Sequence, residues 1–231
     1  MDRNDVLKLA VQVWKNKTNL VAELDAEDGR YVIKWFGWRF WIHKWLSPSF
    51  AGRALTSWDI ALRLKSLGVP TPEPVYLYCC RRRGIIRENF MVTRAISEHQ
   101  TMRRLLKNDT PEETKNTVVR NLAKMLSRMH DAGISHGDLT TANMLIGRDY
   151  QVYLVDLNRA KIYKKLSRST RLNDLKRLQF GTGDSKLSDA LISLFFEVYS
   201  DTIQGSSWEQ AYRKARGRLL AYRSIKKSIR C

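Results

Sequence analysis

Cysteine is scarce: of three in the 231-residue chain, Cys79 and Cys80 are adjacent and Cys231 is the last residue of the sequence. That is too few for a disulfide framework, and no paired Cys/His spacing makes a structural zinc site. Such usage points to a reducing, cytoplasmic compartment. Long apolar runs are missing too. Nothing approaches the ~18 consecutive apolar residues of an ordinary membrane-spanning helix, so any membrane contact is expected to be peripheral. The opening MDRNDVLKLAVQVW carries acids among its first residues and no uninterrupted apolar stretch, unlike a secretory signal. Gly 12 and Pro 5 exclude collagen-like and low-complexity chains, while 43% hydrophobic and 28% charged residues suffice for a core. Acid is the remaining shortage: 23 Asp+Glu face 41 Lys+Arg, giving a formal net charge of +18 and a pI near 10.1. An imbalance of that size predicts an anionic partner, and composition alone allows RNA as readily as a lipid surface.

Residue order runs from β-prone to helical. Lys8 to Trp14, Leu20 to Leu24 and Tyr31 to Phe36 read as three strands, the last two joined by a polar turn at Asp25 to Gly29. Phe50 to Leu67 places Phe50, Ala54, Trp58, Ala61, Leu62 and Lys65 near helical spacing, with Gly68 where a left-handed cap is wanted. Pro70, Pro72 and Pro74 forbid regular structure there, and Val75 to Cys80 with Ile85 to Thr93 read as another hairpin. Beyond Ala95 helices dominate. Thr110-Pro111-Glu112-Glu113 offers an N-cap, a proline at the first helical position and an acid two further on, before a stripe of Val118, Leu122, Met125, Leu126 and Met129 ending at Gly133. Met144 to Ile146 and Val152 to Val155 form a small hairpin, and further helices are expected near Leu172 to Leu178, Leu187 to Tyr199 and Ser206 to Ile225. The expected division is residues 1–95, a β-rich lobe with one helix, and residues 96–231, a helical lobe.

Chemistry concentrates in His136-Gly137-Asp138-Leu139-Thr140-Thr141-Ala142-Asn143 and in Asp156, eighteen positions after Asp138. Phosphoryl transfer needs a carboxylate to orient and deprotonate an acceptor hydroxyl and oxygen ligands for magnesium. Asp138, Asn143 and Asp156 supply them. An Asp followed five positions later by Asn, with another Asp at the end of a following strand, is the catalytic-loop arrangement of kinases. Separately such residues usually cap turns and end strands; it is their combination that points to chemistry. His136 reads as a brace of the loop, because Asp138 already fills the base position. Lys34 closes Tyr31-Val32-Ile33-Lys34 on the third strand, where kinases place the lysine that meets nucleotide phosphates. Two expected parts are missing. No G-x-G-x-x-G joins the first strands, so Lys17 and Thr18 in Lys15 to Asn19 are the candidates for a phosphate-facing turn. Between Asp28 and Glu73 the sole carboxylate is Asp59, so the acid that should pair with Lys34 from the inserted helix has no obvious representative.

The runs Lys34-Trp35-Phe36, Arg53-Ala54, Trp58 with Leu62, Leu67 to Pro74, His136 to Asn143 and Val155 to Ala160 together resemble the bacterial lipopolysaccharide kinase family, over about residues 10 to 180. The resemblance implies an α+β, two-lobed protein-kinase-like fold with a small antiparallel β-rich N-lobe and a helical C-lobe. It implies an ATP- and Mg²⁺-dependent kinase that phosphorylates a Kdo or heptose hydroxyl of the lipopolysaccharide inner core. By it Lys34 binds ATP phosphates, Asp138 is the base, and Asn143 and Asp156 hold Mg²⁺. The family generally has Arg-Glu-Trp where this chain has Thr56-Ser57-Trp58, so Ser57 stands at the helix glutamate position, and Asp59 points elsewhere on the helix. Thr140 stands two residues after the base, where many protein kinases carry lysine, which leaves charge neutralisation to another residue such as Arg159. The catalytic loop also resembles that of the small kinase-like ATPase of the tRNA threonylcarbamoyladenosine machinery. A degenerate kinase fold serving as a basic binding module is the non-enzymatic alternative.

Two surfaces suit an anionic, amphiphilic acceptor such as an inner-core or Kdo-lipid A molecule. Trp35, Phe36, Trp38, Phe40 and Trp41 interleave with Arg39 and Lys44, a pattern that serves either a membrane interface or a packed core. Arg213 to Arg230 holds eight cations and no acid, as an anionic membrane surface would select. Lys164, Lys165, Arg168 and Arg171 add positive charge downstream of Asp156. The expected location is the cytoplasmic face of the inner membrane, with nucleic acid as the competing partner.

Overall fold

In the computed structural model, which describes residues 3–37, 52–200 and 206–228, the chain folds as two units. The first comprises Met1–Ser97 with Asp156–Ala160, the second Glu98–Val155 with Lys161–Cys231.

The first unit is a five-stranded sheet with two helices. Helix α1 (Arg3–Leu9) leads into β1 (Ala10–Asn16), β2 (Leu20–Ala26) and β3 (Gly29–Trp35), followed by α2 (Arg53–Ser66), β4 (Pro74–Arg82) and β5 (Ile85–Arg94). All neighbours pair antiparallel in the order β1-β2-β3-β5-β4. Period-two alternation sends Leu20, Ala22, Ile33 and Trp35 to one face, where they meet Val6 and Phe90 in a buried cluster. Trp35 stacks on Phe90 with ring centroids 4.6 Å apart. Val32 and Lys34 therefore belong to the opposite face. The strand expected from Lys8 starts two residues later, because Lys8 and Leu9 close α1. That helix forms because Val6 inserts into the apolar cluster, with Asp5 in its first turn and Lys8 in its last, as the helix dipole favours.

Helix α2 buries Ala54, Ser57, Ile60, Ala61 and Leu64 rather than the expected stripe; Leu62 is left 46% exposed. Small residues at 54, 57 and 61 let its backbone approach β4, β5 and the turn at 157–159, against which it packs. Phe50, the expected start, lies outside the described residues. Gly68 ends the helix at φ 64°, its N–H donating to the Lys65 carbonyl (3.0 Å) while Val69 donates to that of Leu64 (2.9 Å). Buried Asn89 ties the start of α2 to the sheet: its Oδ1 accepts from Ala54 N–H (3.1 Å) and its Nδ2 donates to the Phe36 carbonyl (3.3 Å).

The second unit is mostly helical. Its elements are β6 (Gln100–Thr101), α3 (Met102–Lys107), α4 (Glu112–Asp131), β7 (Ile134–Ser135), β8 (Met144–Ile146), β9 (Val152–Leu154), β10 (Lys161–Ile162), α5 (Arg168–Leu175), α6 (Ser185–Ser200) and α7 (Ser206–Ser228). The α4 stripe of Val118, Leu122, Met125, Leu126 and Met129 is buried, as its period requires. Its start differs from expectation. Pro111 is extended and itself stands at the cap, with no side-chain cap bond, so Thr110 does not cap the helix. Strands β8 and β9 form the small hairpin, joined by β6, whose two residues are too short to show alternation. Phe180, Phe195, Phe196, Tyr199, Trp208 and Tyr212 form the aromatic core linking α6 and α7.

Sequence order groups Asp156–Ala160 with residues 96–231, yet the segment clusters with the first unit. Asp156 turns the chain there in a left-handed conformation (φ 66°, ψ 51°), and the short helical turn Leu157–Arg159 buries Leu157 and packs on α2.

Candidate functional site

The second unit holds the loop His136 to Asn143, whose backbone is fixed from several directions. Asp174 on α5 accepts from the amides of His136 (2.5 Å) and Gly137 (2.7 Å). The Asp138 amide donates to His136 Nδ1 (3.3 Å), which places the ring proton on Nε2, and Nε2 donates to the Val155 carbonyl (3.1 Å). With both nitrogens engaged and the ring fully buried, His136 is built as a strut. Asn143 donates from Nδ2 to the Asp138 carbonyl (2.9 Å), and its own carbonyl accepts from Val155 N–H (3.0 Å). Its amide nitrogen is thus committed to the loop, which assigns its side-chain oxygen the part of acceptor. Leu139 anchors the loop from below, fully buried.

Two residues of this network were not singled out in the sequence. Asp174 is buried between α4, α5 and the loop, and its Oδ2 also faces His130 Nε2 at 3.4 Å, while His130 Nδ1 meets the Tyr199 hydroxyl at 2.7 Å. Burial opposes its charge, but hydrogen bonding from His130 and the two loop amides outweighs it and holds its carboxyl below the usual aspartate range. Arg177 Nη1 donates to Asp138 Oδ1 at 2.9 Å. A signal existed: positions 171, 174, 175 and 178 share one helical face, so charges at 171 and 174 beside Leu175 and Leu178 mark a buried polar network rather than a solvated face.

In the first unit, Lys34 Nζ lies 2.5 Å from Asp156 Oδ1, with the lysine side chain 21% exposed. Burial pushes the Lys34 ammonium down from its ordinary value, and Asp156 works against that. Asn158 donates to the same Asp156 oxygen. The place expected of a helix glutamate belongs to Ser57, buried and donating to the Arg53 carbonyl of its own helix (2.8 Å), while Asp59 is exposed. Asp156 is therefore the carboxylate that pairs with Lys34. Helix α2 presents a cation instead: the Arg53 guanidinium donates to the Gly37 carbonyl, and the Phe36 ring lies between Lys34 (5.2 Å) and Arg53 (5.3 Å). Burial pushes the Arg53 value down, with Asp156 offsetting it.

Lys17 and Thr18 are exposed in the β1–β2 turn. Arg3 donates to the Lys17 carbonyl, and Asn19 Oδ1 accepts from Gly37 N–H at 3.3 Å. A Cβ on Gly37 would come within 1.9 Å of the Thr18 carbonyl oxygen, so only glycine allows this approach. Arg159 is exposed on its turn.

The expected cationic surface divides. Lys164 and Lys165 are exposed. Arg168 is exposed but spans to α7, donating to the Ser207 carbonyl (3.1 Å) with its guanidinium 5.0 Å from the Trp208 ring centroid. Arg171 must be corrected: it is buried and paired with Asp131 at 2.9 Å, because its helical position faces α4. On α7, Arg213 pairs with Asp189 and Glu209, and Arg216 donates to the Leu178 carbonyl, so these two serve the fold. Lys214, Arg218, Arg223 and Lys226 are exposed. Trp38, Arg39, Phe40, Trp41, Lys44 and Arg230, and the Lys227 side chain, lie outside the described residues.

Among the described residues no three His, Cys, Asp or Glu side chains come together as a metal site. Magnesium takes one or two protein oxygens and completes its shell with phosphate and water. The Asp156 carboxylate in the first unit and the Asn143 side-chain oxygen in the second are hard oxygen donors of that kind. No described helix is long and apolar enough to cross a membrane.

Comparison with known proteins follows the same lines. The sequence profile of the lipopolysaccharide kinase (Kdo/WaaP) family matches residues 38–199. The lipopolysaccharide core heptose(I) kinase WaaP of Escherichia coli is 24% identical over 188 residues, 74% of this chain and 71% of the relative. The KEOPS complex subunit Bud32 of Pyrococcus abyssi is 30% identical over 109 residues, 47% of this chain and 45% of the relative. The chain spans about half the length of several curated relatives it matches, 3-deoxy-D-manno-octulosonic acid kinases of Vibrio vulnificus among them. A solved structure of WaaP in complex with acyl carrier protein matches with a TM-score of 0.67 at 20% identity, covering 96% of this chain and 90% of that one. That likeness gives the fold: kinase-like, α+β, a β-rich N-terminal part before a helical C-terminal part.

Proposed function

This chain belongs to the lipopolysaccharide kinase (Kdo/WaaP) family, and from that premise we propose that it transfers the γ-phosphoryl group of ATP to a sugar hydroxyl, Kdo or heptose, of the lipopolysaccharide inner core. The observation that carries the reading is the Lys34–Asp156 pair: residues 122 apart in sequence meet at 2.5 Å, which supports reading them as a nucleotide lysine and a metal-binding aspartate of the kind phosphoryl transfer uses.

Each side chain then has a task. Asp138 orients the acceptor hydroxyl and takes its proton as the oxygen–phosphorus bond forms and the bond to the leaving ADP oxygen breaks. Lys34 holds donor phosphates, and exposed Lys17 and Thr18 are assigned to the phosphate-facing turn. Asn143 and Asp156 would hold Mg²⁺, which supplies charge neutralisation on the phosphates. His136 and Asp174 keep the loop in place so that no reorganisation is needed at the moment of transfer. Arg159, Lys164, Lys165 and Arg168 contribute positive potential toward an anionic acceptor.

We assign the protein to the cytoplasmic face of the inner membrane. Helix α7 supports this: exposed Leu220, Tyr222 and Ile225 accompany Lys214, Arg218, Arg223 and Lys226, the mixture that binds anionic lipid surfaces. A groove of about 440 Å³ between α5 and α7, lined by Leu172, Leu219 and Tyr222 with Lys176 and Arg218, has the same character.

The 30% identity to Bud32 favours one second reading, an ATPase of a tRNA-modifying assembly. Incubation with labelled ATP separates the two. The first reading expects label in purified Kdo- or heptose-bearing core and no response to tRNA; phosphate release stimulated by tRNA, with unlabelled core, supports the second.

A further inference from the structure

We infer that Arg177 is a positioning residue for phosphoryl transfer, acting through the Asp138 carboxylate. The inference rests on the reading of Asp138 as the base.

Thr140 leaves the loop without the lysine that many kinases carry two residues after the base, and Arg159 is the sequence's nearest substitute. The structure instead brings Arg177 to Asp138, Nη1 to Oδ1 at 2.9 Å, within one unit. Arg177 sits just beyond α5, where its N–H donates to the Asp174 carbonyl at 3.1 Å, and the flanking Leu175 and Leu178 are fully buried. Its backbone is thus anchored. Asp174 at the end of α5 and Arg177 just beyond it grip the loop at two kinds of point. Asp174 takes the backbone amides of His136 and Gly137, and Arg177 takes the side-chain oxygen of Asp138.

The loop backbone is already held by Asp174, His136 and Asn143. The Arg177 bond reaches a side-chain oxygen rather than that backbone. It falls on the reacting carboxylate, where it fixes the direction of the group and supplies the positive charge that Thr140 does not. With the Arg177 side chain 34% exposed and that of Asp138 29%, the pair is open enough to receive an acceptor.

A double-mutant cycle tests this on the full chain, reading ADP production with a core-sugar acceptor and with water. Arg177→Gln is expected to lower kcat at least ~10-fold with KM for ATP within about twofold, Arg177→Lys to restore much of the loss, and melting to stay close to the unsubstituted protein. In an Asp138→Asn background, where only residual ADP production is left to read, Arg177→Gln is expected to lower that residual rate no further, because its effect runs through the carboxylate. An equal loss in both backgrounds, or unchanged kcat, would overturn the inference. Failure to label the sugar while the cycle still shows coupling on ADP production would overturn the acceptor assignment alone.

Discussion

Asp174 offers nothing to an acceptor, yet it decides where Asp138 stands. Replacing it with alanine leaves two loop amides and His130 without their shared partner, so Asp174→Ala is expected to cost about 3 kcal/mol or more in denaturant unfolding. The pH dependence has a definite sign. A carboxyl held below its ordinary value of 3.8 binds fewer protons folded than unfolded. Its contribution is therefore complete above that value and lost as pH falls through the lowered one. Below about pH 4 the unsubstituted protein should lose more stability than Asp174→Asn. Asp138→Ala, at a half-buried position of the same loop, should instead abolish transfer with the melting curve nearly intact; unchanged product formation would remove Asp138 from the mechanism. Asp138, Asn143 and Asp156 were singled out in the sequence by their spacing, and Lys34 by its place at the end of a strand pattern. Asp174 and Arg177 were not, because they follow the loop by more than a helix's length of chain, on α5 and just beyond it, and nothing in the loop's own sequence names them as its partners.

Among elements, the loop after α4 shows how little freedom the site's support has. Gly133 has φ 80°, and a Cβ there would lie 2.2 Å from the Tyr163 carbonyl oxygen, beside the backbone bond from Tyr163 N–H to the Gly133 carbonyl (2.8 Å). Gly133→Ala combines left-handed strain with a backbone clash and is expected to cost at least ~2 kcal/mol, read as a lowered Tm. A Tm within one degree would contradict that geometry. The sequence revealed this stop, the Gly68 stop and the hairpins, where punctuation is strong. It concealed α1, whose seven residues carry only one buried side chain, and β6, whose two residues form a strand only through their partner β8. The stripe of α2 was misplaced because the small residues Ala54, Ser57 and Ala61 share its buried face with Ile60 and Leu64.

For the whole molecule, charge and the aromatic core make separable predictions. Tyr199 and Tyr212 are pushed up to about 12, mainly by burial, with Arg171 opposing it at Tyr199 and Arg216 at Tyr212. A raised value means that the stability they lend is complete below about pH 10 and is lost as pH rises through about 12. Alkaline unfolding should therefore coincide with the late appearance of tyrosinate absorbance. Tyrosinate appearing fully at pH 10 with the fold intact would contradict the buried cluster. The charge of +18 predicts salt-sensitive sedimentation with anionic vesicles and little with neutral ones. Charge reversal at Arg218 and Arg223 should weaken it; no change would move the lipid contact away from α7. The net charge gave the expectation of an anionic partner, but only the fold separates cations spent on structure, such as Arg171, Arg213 and Arg216, from those left at the surface.

The most direct test of the central claim is mass spectrometry of lipid A–core from otherwise identical cells producing this protein, its Asp138→Asn variant, or neither. One additional phosphate on a Kdo or heptose residue, present only with the unsubstituted protein, is the predicted result. Identical core masses in all three, from a protein shown to be folded and present, would contradict it.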